Sequence, residues 1–216
     1  MKRTLIVIAA VFLLSGCEPS FKEEYEATLK ELEATKQALA VAQTKLKAAD
    51  NEMRHKIFTL IRRTNNHLQT SNLDLPLLSQ TGQELKVHID SYNQLTGQSD
   101  HVSVTAEFYY RKLDTIRELL KNSRSTYDRR YNECLTTLGN KGNKNELSSM
   151  LCEVQADVAK QKLSDELNAS IKALLFVAEN QVQAGRQGSS ANRSPADLEQ
   201  EFKAKVENVK LQQSRG

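Results

Sequence analysis

Cysteine and histidine are the residues of this chain with the most reactive side chains, and their spacing limits the chemistry open to them. The sequence contains three cysteines, and its four histidines are His55, His67, His88 and His101. No two histidines lie three or four residues apart, so none forms the helical pair of a His-Glu-x-x-His zinc site. Neither a Gly-x-Ser-x-Gly motif nor a glycine-rich phosphate loop is present. We therefore expect no enzyme activity, no metal, no cofactor and no small-molecule substrate.

The N-terminal segment has the pattern of an export signal. Lys2 and Arg3 precede an uninterrupted apolar run at residues 5–14, which is about half the length that a bilayer-spanning helix needs. The run ends in Leu14-Ser15-Gly16-Cys17, which resembles the lipobox of bacterial lipoproteins. The resemblance implies diacylglycerol on the Cys17 thiol, cleavage that removes residues 1–16, and acylation (palmitate) of the new amino terminus.

The same resemblance implies a place in the cell. A lipoprotein of this type is held in the cell envelope of a Gram-negative bacterium, and Glu18 rather than Asp after the cysteine favours the outer membrane, facing the periplasm. In that oxidising compartment, with Cys17 lipidated, Cys134 and Cys152 are predicted to form a disulfide. The two cysteines are equidistant from residue 143, in the middle of a polar turn at 139–145, so an antiparallel helical hairpin would bring them face to face.

Composition narrows the class of protein. The whole chain has 30 basic and 27 acidic residues; without Lys2 and Arg3 the balance is 28 against 27, a net charge of +1. That balance gives no concentrated basic face, and we expect no nucleic-acid partner. Eight glycines, three prolines and no tryptophan are typical of a helix-rich chain with a thin core. The sequence therefore predicts an all-α fold.

Residues 17–70 are predicted to form a lipid anchor and a coiled-coil-like stem, helical from about residue 20. Large side chains recur there every seven residues, and a row of small ones follows three positions later. The large row is Tyr25, Leu32, Leu39, Leu46, Met53 and Leu60; the small row is Thr28, Thr35, Ala42 and Ala49. A strict seven-residue repeat favours left-handed supercoiling. Two interpretations stay open: the stem packs along its own bundle, or it pairs with another copy or another protein.

Residues 76–183 are predicted to form an antiparallel helical bundle clasped by the disulfide, with helices at about 77–96, 102–138 and 146–183. The last of these helices is expected to bury Leu147, Leu151, Val154 and Val158, followed by Leu167, Ile171, Leu174 and Ala178. Residues 184–216 are predicted to be a linker and a short helix that starts at Ser194-Pro195 and ends near 211. Because its apolar stripe is weak, we expect a frayed tail; the alternative is a docking segment that orders on binding.

Two groups of side chains are candidates for contact with a partner. On the stem they are Leu32, Leu39, Leu46 and Met53. On the long helix of the bundle they are Tyr109, Tyr127 and Tyr131, since tyrosine is enriched in binding hot spots. The alternative for the tyrosines is packing in the core with their hydroxyls at its rim.

These features favour a membrane-anchored structural, assembly or accessory component of a cell-envelope complex. Its expected contacts are the membrane, through lipid on Cys17, and another envelope protein or a second copy, through the stem. An alternative is a binding or inhibitory lipoprotein, such as an immunity or exclusion factor. An enzyme acting on the cell wall or on lipid is the least favoured interpretation.

Overall fold

In the part of the chain that the structure describes, all the regular structure is α-helical. The computed structural model describes residues 20–70, 73–96, 100–139, 146–186 and 193–215. Within these ranges the chain forms five helices and no strand: α1 (Ser20–Leu68), α2 (Leu75–Thr96), α3 (His101–Gly139), α4 (Glu146–Arg186) and α5 (Pro195–Gln213). The predicted all-α fold class is therefore confirmed, and each helix lies within three residues of its expected bounds.

The chain divides into two units at a point within α1. Residues 1–49 form the first unit and residues 50–216 the second. In the described part of the first unit, residues 20–49, the chain is a single helix. The predicted stem at 17–70 extends past this division, because Ile57, Ile61 and Leu68 near the end of α1 are buried in the core of the second unit.

In the second unit, helices that follow one another in the chain pack as antiparallel neighbours. Arg117 of α3 donates to Ser79 of α2 at 3.2 Å, and further along the pair Ser103 donates to Asn93 at 2.6 Å. Residue numbers therefore decrease along α3 in the direction in which they increase along α2, which is the antiparallel arrangement. The core that these pairs enclose is aliphatic and aromatic, and includes the fully buried Leu78, Leu85, Ile89, Tyr92, Leu113, Ile116 and Leu174.

Helix α5 packs against this core, so the expectation of a frayed tail is wrong. Leu198, Phe202 and Val209 are buried. Phe202 meets Phe108 of α3 edge to face, with ring centroids 6.0 Å apart, and Lys112 lies 4.6 Å above the Phe202 ring. The few apolar residues of α5 are enough to hold the helix in place because α3 and α4 provide a surface on which they pack.

Polar contacts also fix the residue at which α5 begins and the side of α5 that faces α3 and α4. Ser194 and Asp197 form a capping box: the Asp197 amide donates to the Ser194 hydroxyl at 3.2 Å, and the Ser194 amide donates to the Asp197 carboxylate at 2.9 Å. The Ser194 amide and the Ser194 hydroxyl, which both donate to the Asp197 carboxylate, hold the pKa of Asp197 below its usual value. On the side of the helix, Lys112 of α3 pairs with Glu199 at 2.7 Å, while Glu201 accepts from Asn180 of α4 at 2.8 Å.

A half-buried polar network joins α1, α2 and the start of α3. The Asp100 carboxylate accepts hydrogen bonds from the Tyr92 hydroxyl and, at 3.0 Å, from the Ser103 amide. Arg54 of α1 donates to the same carboxylate at 2.7 Å and to Asp50 at 3.0 Å. Partial burial alone would raise the pKa of Asp100, but the Tyr92 hydroxyl, the Ser103 amide and the Arg54 guanidinium outweigh it and hold the pKa below its usual value.

This network makes stability depend on pH in acid. Because the pKa of Asp100 is lower in the folded than in the unfolded protein, its contribution is fully present above the unfolded pKa of about 3.9 and is lost as the pH falls through the folded value. Asp100→Asn keeps an oxygen that can accept from the Ser103 amide but removes the negative charge. The variant is expected to lower the free energy of unfolding at pH 7 by about 1 kcal/mol. Urea titrations at pH 7 and pH 3 measure this. The difference between wild type and variant should shrink at pH 3, and an equal difference at both pH values would contradict it.

Candidate protein-interaction surfaces

The end of the α3–α4 hairpin is clasped by a disulfide, as predicted. Cys134 and Cys152 are bonded, with Cα atoms 5.5 Å apart and a sequence separation of 18. Lys160 of α4 lies 5.9 Å from the Tyr127 ring of α3. Moving from residue 152 to residue 160 on α4 therefore corresponds to moving from 134 to 127 on α3, which is the antiparallel arrangement expected from the sequence.

Tyr127 and Tyr131 are half-buried and hold the two helices of this hairpin together. Their rings are stacked with centroids 6.1 Å apart, and the Tyr131 hydroxyl lies 3.0 Å from the Ser149 hydroxyl of α4. Burial first, and then the carboxylates of Asp157 and Glu153, raise the pKa of Tyr127, so its hydroxyl stays neutral. The rings of these two tyrosines thus pack between α3 and α4, while part of each side chain stays accessible to solvent.

Tyr109, the third candidate tyrosine, belongs to the core. Its side chain is 1% exposed, and its hydroxyl donates to the Asn65 side-chain oxygen of α1 at 2.6 Å. A partner has no access to it in this arrangement, so we remove Tyr109 from the candidate surface. It differs from Tyr127 and Tyr131 because helices α1 and α2 cover its end of α3.

The first turns of α4 carry an exposed apolar stripe, which we call the tip face. Its members are Leu147, Met150, Leu151, Val154 and Val158, and each is between 50% and 75% exposed. The expectation that Leu147, Leu151, Val154 and Val158 are buried is therefore wrong. The later residues of the predicted row, Leu167, Ile171, Leu174 and Ala178, lie on the opposite side of the helix and are buried as expected.

Helix geometry explains why this stripe points outward. At 100° per residue, the tip face is centred about half a turn away from Cys152 and Ala156, which are fully buried against α3. The disulfide fixes that side of α4 towards α3, and the larger apolar side chains consequently face solvent. Leu147, Leu151, Val154 and Val158 alternate at spacings of four and three, which is the pattern of a coiled-coil seam.

A second exposed stripe lies on the first unit, and we call it the stem face. It consists of Tyr25, Leu29, Leu32, Leu39 and Leu46, which are between 42% and 58% exposed. The neighbouring hydroxyls of Thr28 and Thr35 donate to backbone carbonyls one turn back, each at 2.7 Å. Their polar groups are thus satisfied within the helix.

The stem candidates therefore divide into two groups. Leu32, Leu39 and Leu46 belong to the stem face. Met53, the next member of the seven-residue row, is partly buried against the core of the second unit. The sequence pattern located the row but gave no means of telling where along it the side chains become covered.

A metal site requires a cluster of ligand side chains, and a membrane span requires a long apolar helix. In the ranges that the structure covers, no three His, Cys, Asp or Glu side chains come together as metal ligands. Among the described helices, none has a stretch long and apolar enough to span a bilayer. A shallow open groove beside the disulfide is lined by Arg130, Glu133, Leu138, Leu151 and Gln155, among others. Cys17 and the lipobox lie outside the described residues, so the lipid anchor stays a prediction.

Comparison of the chain with protein-family models, curated proteins and solved structures found no match. The functional interpretation accordingly depends on the chain's own residues. Of these, the stem face and the tip face are rows of several exposed apolar side chains with helical spacing.

Proposed function

We propose that this protein is a lipid-anchored component of the cell envelope that serves the assembly or support of a complex through helical contacts with other proteins. The observation that carries the proposal is the exposed apolar stripe with coiled-coil spacing on each of the two units. Exposed leucines and valines that stand singly need no explanation, whereas contiguous stripes mark interaction sites. A helix of a partner protein is the natural occupant of a stripe with this spacing.

The size of the tip face indicates what kind of partner contact it supports. Full burial of one aliphatic side chain contributes about 1.5–3 kcal/mol, and these side chains are already roughly half covered, so each adds about 1 kcal/mol. Five residues then supply about 5 kcal/mol, near the lower end of the cost of association, which is about 4–15 kcal/mol. The tip face alone therefore favours a weak contact, which confinement to one membrane would strengthen by raising the effective concentration.

The location in the proposal is supported by the lipobox at 14–17 and by the Cys134–Cys152 bond. Disulfides persist in oxidising compartments and are rare in the cytosol. With residue 17 lipidated, α1 would start within a few residues of the membrane surface, since its first residue is Ser20.

The proposal is tested by mild crosslinking in intact cells, followed by purification of the full-length lipidated protein and identification of what accompanies it. We expect an envelope protein, and expect its recovery to fall about tenfold or more in the variant Val154→Lys with Val158→Lys, because burying a charge in an apolar contact costs more than the contact gains. Gln155→Lys is the control, since it adds one positive charge on the same turn outside the stripe, where the double variant adds two within it.

Both variants should keep the fold, because Val154 and Val158 are 60% and 64% exposed and surface substitutions change stability by about 0.5 kcal/mol or less. Thermal melting followed by circular dichroism checks this point. If the same partner is recovered equally from wild type, double variant and control, the tip face has no part in the contact. If no envelope protein accompanies the chain under any condition, the proposed function is wrong.

A further inference from the structure

Charged residues flank the stem face at the positions that form ion pairs between the two helices of a coiled coil. If the row Tyr25, Leu32, Leu39 and Leu46 occupies the a positions of a heptad, the d positions are Thr28, Thr35, Ala42 and Ala49. Glu31 then falls at a g position and Lys36 at the following e position. In a parallel two-stranded coiled coil, the g residue of one helix lies beside the next e residue of the other.

We propose that residues 25–49 pair in parallel and in register with the same residues of a second copy of this chain. Glu31 of each copy then lies beside Lys36 of the other, which gives two attractive pairs by symmetry. Lys45 and Asp50 have the same relation, although the Asp50 carboxylate is shared with Arg54 at 3.0 Å. No g and e residues of like charge meet in this register, because the remaining positions, Glu24 with Leu29 and Ala38 with Gln43, are not pairs of like charge.

The parallel direction rests on the proposed function. Acidic residues predominate before residue 35 and basic residues from 36 to 49, so an antiparallel pair would also have attractive charges. Two chains that are lipidated at residue 17 in one membrane, however, start their helices from the same surface and must run the same way. Lipidation therefore selects the parallel pair.

The packing surface is suited to close approach. The d positions carry only threonine and alanine, and the Thr28 and Thr35 hydroxyls are bonded to their own backbone, which removes the cost of leaving them unpaired in an interface. Layers of leucine at a thus alternate with layers of small residues at d. A homodimer covers every residue of the stem face at once, whereas a partner of another sequence would need its own matching row.

The first test introduces one cysteine at a d position. In a parallel, in-register pair, Ala42→Cys of one copy faces Ala42→Cys of the other, within the Cα separation of about 4.4–6.8 Å that a disulfide needs. Cys17 carries lipid under the proposal, and Cys134 and Cys152 are bonded, so the new thiol has no partner within its own chain. We expect the full-length protein in intact cells to form a disulfide-linked dimer.

The control is Thr44→Cys, on the opposite face of the helix at an f position, which should stay monomeric. Equal crosslinking of both variants would indicate random collision and overturn the pairing. An adduct of Ala42→Cys with a different protein, or no adduct, also overturns it. In either case the partner recovered through the tip face is unaffected, so failure of the dimer is distinguished from failure of the proposed function.

The second test exchanges charges in the Ala42→Cys background. Glu31→Lys replaces two attractive pairs by two repulsive ones and should lower the dimer yield roughly fivefold. Adding Lys36→Glu should restore the yield, because the attraction returns with reversed signs. Residues five apart do not face each other within one helix, so restoration has no intramolecular explanation. Loss of the dimer in the single variant without recovery in the double variant would overturn the in-register pairing.

Discussion

Replacing Cys134 and Cys152 together with alanine is expected to lower the free energy of unfolding by about 3 kcal/mol, as a disulfide closing a loop of this size contributes. The effect should concentrate at the end of the α3–α4 hairpin. There the two helices pack through small residues such as Ala156 and through the stacked Tyr127 and Tyr131. Amide hydrogen exchange should accelerate at 128–139 and 146–160, while the core around Leu113 stays protected.

The wild-type protein treated with a thiol reductant provides the matched comparison. It should acquire the exchange pattern of the double variant, whereas the double variant should not respond to the reductant. Unchanged protection of the hairpin end after reduction would mean that packing alone holds α4 against α3. The disulfide would then have no part in presenting the tip face.

Phe202→Ala should release α5 from the second unit. Phe202 is 7% exposed and its ring contacts Phe108 and lies below Lys112. Truncation of a buried aromatic side chain costs about 3–5 kcal/mol, and this site is at the lower end of that range because it lies at the edge of the core. We expect lower stability in urea, together with rapid hydrogen exchange across 195–213.

Leu211→Ala is the control on the same helix, because Leu211 is 55% exposed and its loss should change stability by about 0.5 kcal/mol or less. If Phe202→Ala left the exchange rates of α5 unchanged, the capping box and the ion pairs of Glu199 and Glu201 would have to hold the helix alone. A frayed tail, as first expected from the sequence, would instead show rapid exchange in the wild-type protein.

Helix bounds were predictable from the sequence because local signals determine them. Ser194-Pro195 starts α5, the polar residues 139–145 separate α3 from α4, and the structure has helix ends within three residues of those expected. The disulfide was likewise predictable, since two cysteines equidistant from a turn lie at the same level of an antiparallel hairpin and can therefore come within bonding distance. These inferences need only chain geometry and the chemistry of the termini.

Burial was less predictable because it depends on what other segments cover. Leu147 and Leu174 were assigned to one apolar row of α4, but the 27 residues from one to the other make about seven and a half turns and place them on opposite sides of the helix. Leu147 is 75% exposed and Leu174 is fully buried. Periodicity identifies a face but not the neighbour that covers it. In the same way, Tyr109 and Tyr127 are equivalent in the sequence pattern. Tyr109 belongs to the core because α1 packs on it and its hydroxyl donates to Asn65 of α1, whereas Tyr127 is half-buried.

The surfaces proposed for binding are the places where a sequence pattern that favours burial meets solvent in the structure. Leu39 on the stem face and Val154 on the tip face both satisfy coiled-coil spacing and both stay more than half exposed. The sequence alone identified the stem residues as candidates but assigned the tip residues to the core. Met150 completes the tip face but was not predicted from the sequence. Two serines precede it and Leu151 follows it, so its position shows no clear periodicity.

The antiparallel pairing of consecutive helices also bears on how quickly the second unit assembles. Helix α3 packs on α2, α4 on α3 through Cys134 and Cys152, and α5 on α4 through Asn180 and Glu201. Each pair joins segments that follow one another, and chains with such low contact order fold in microseconds to milliseconds. A chain emerging N-terminus first can complete each hairpin as soon as its second helix is present, whereas the contacts of Phe108 and Lys112 with α5 must wait until the end of the chain has emerged.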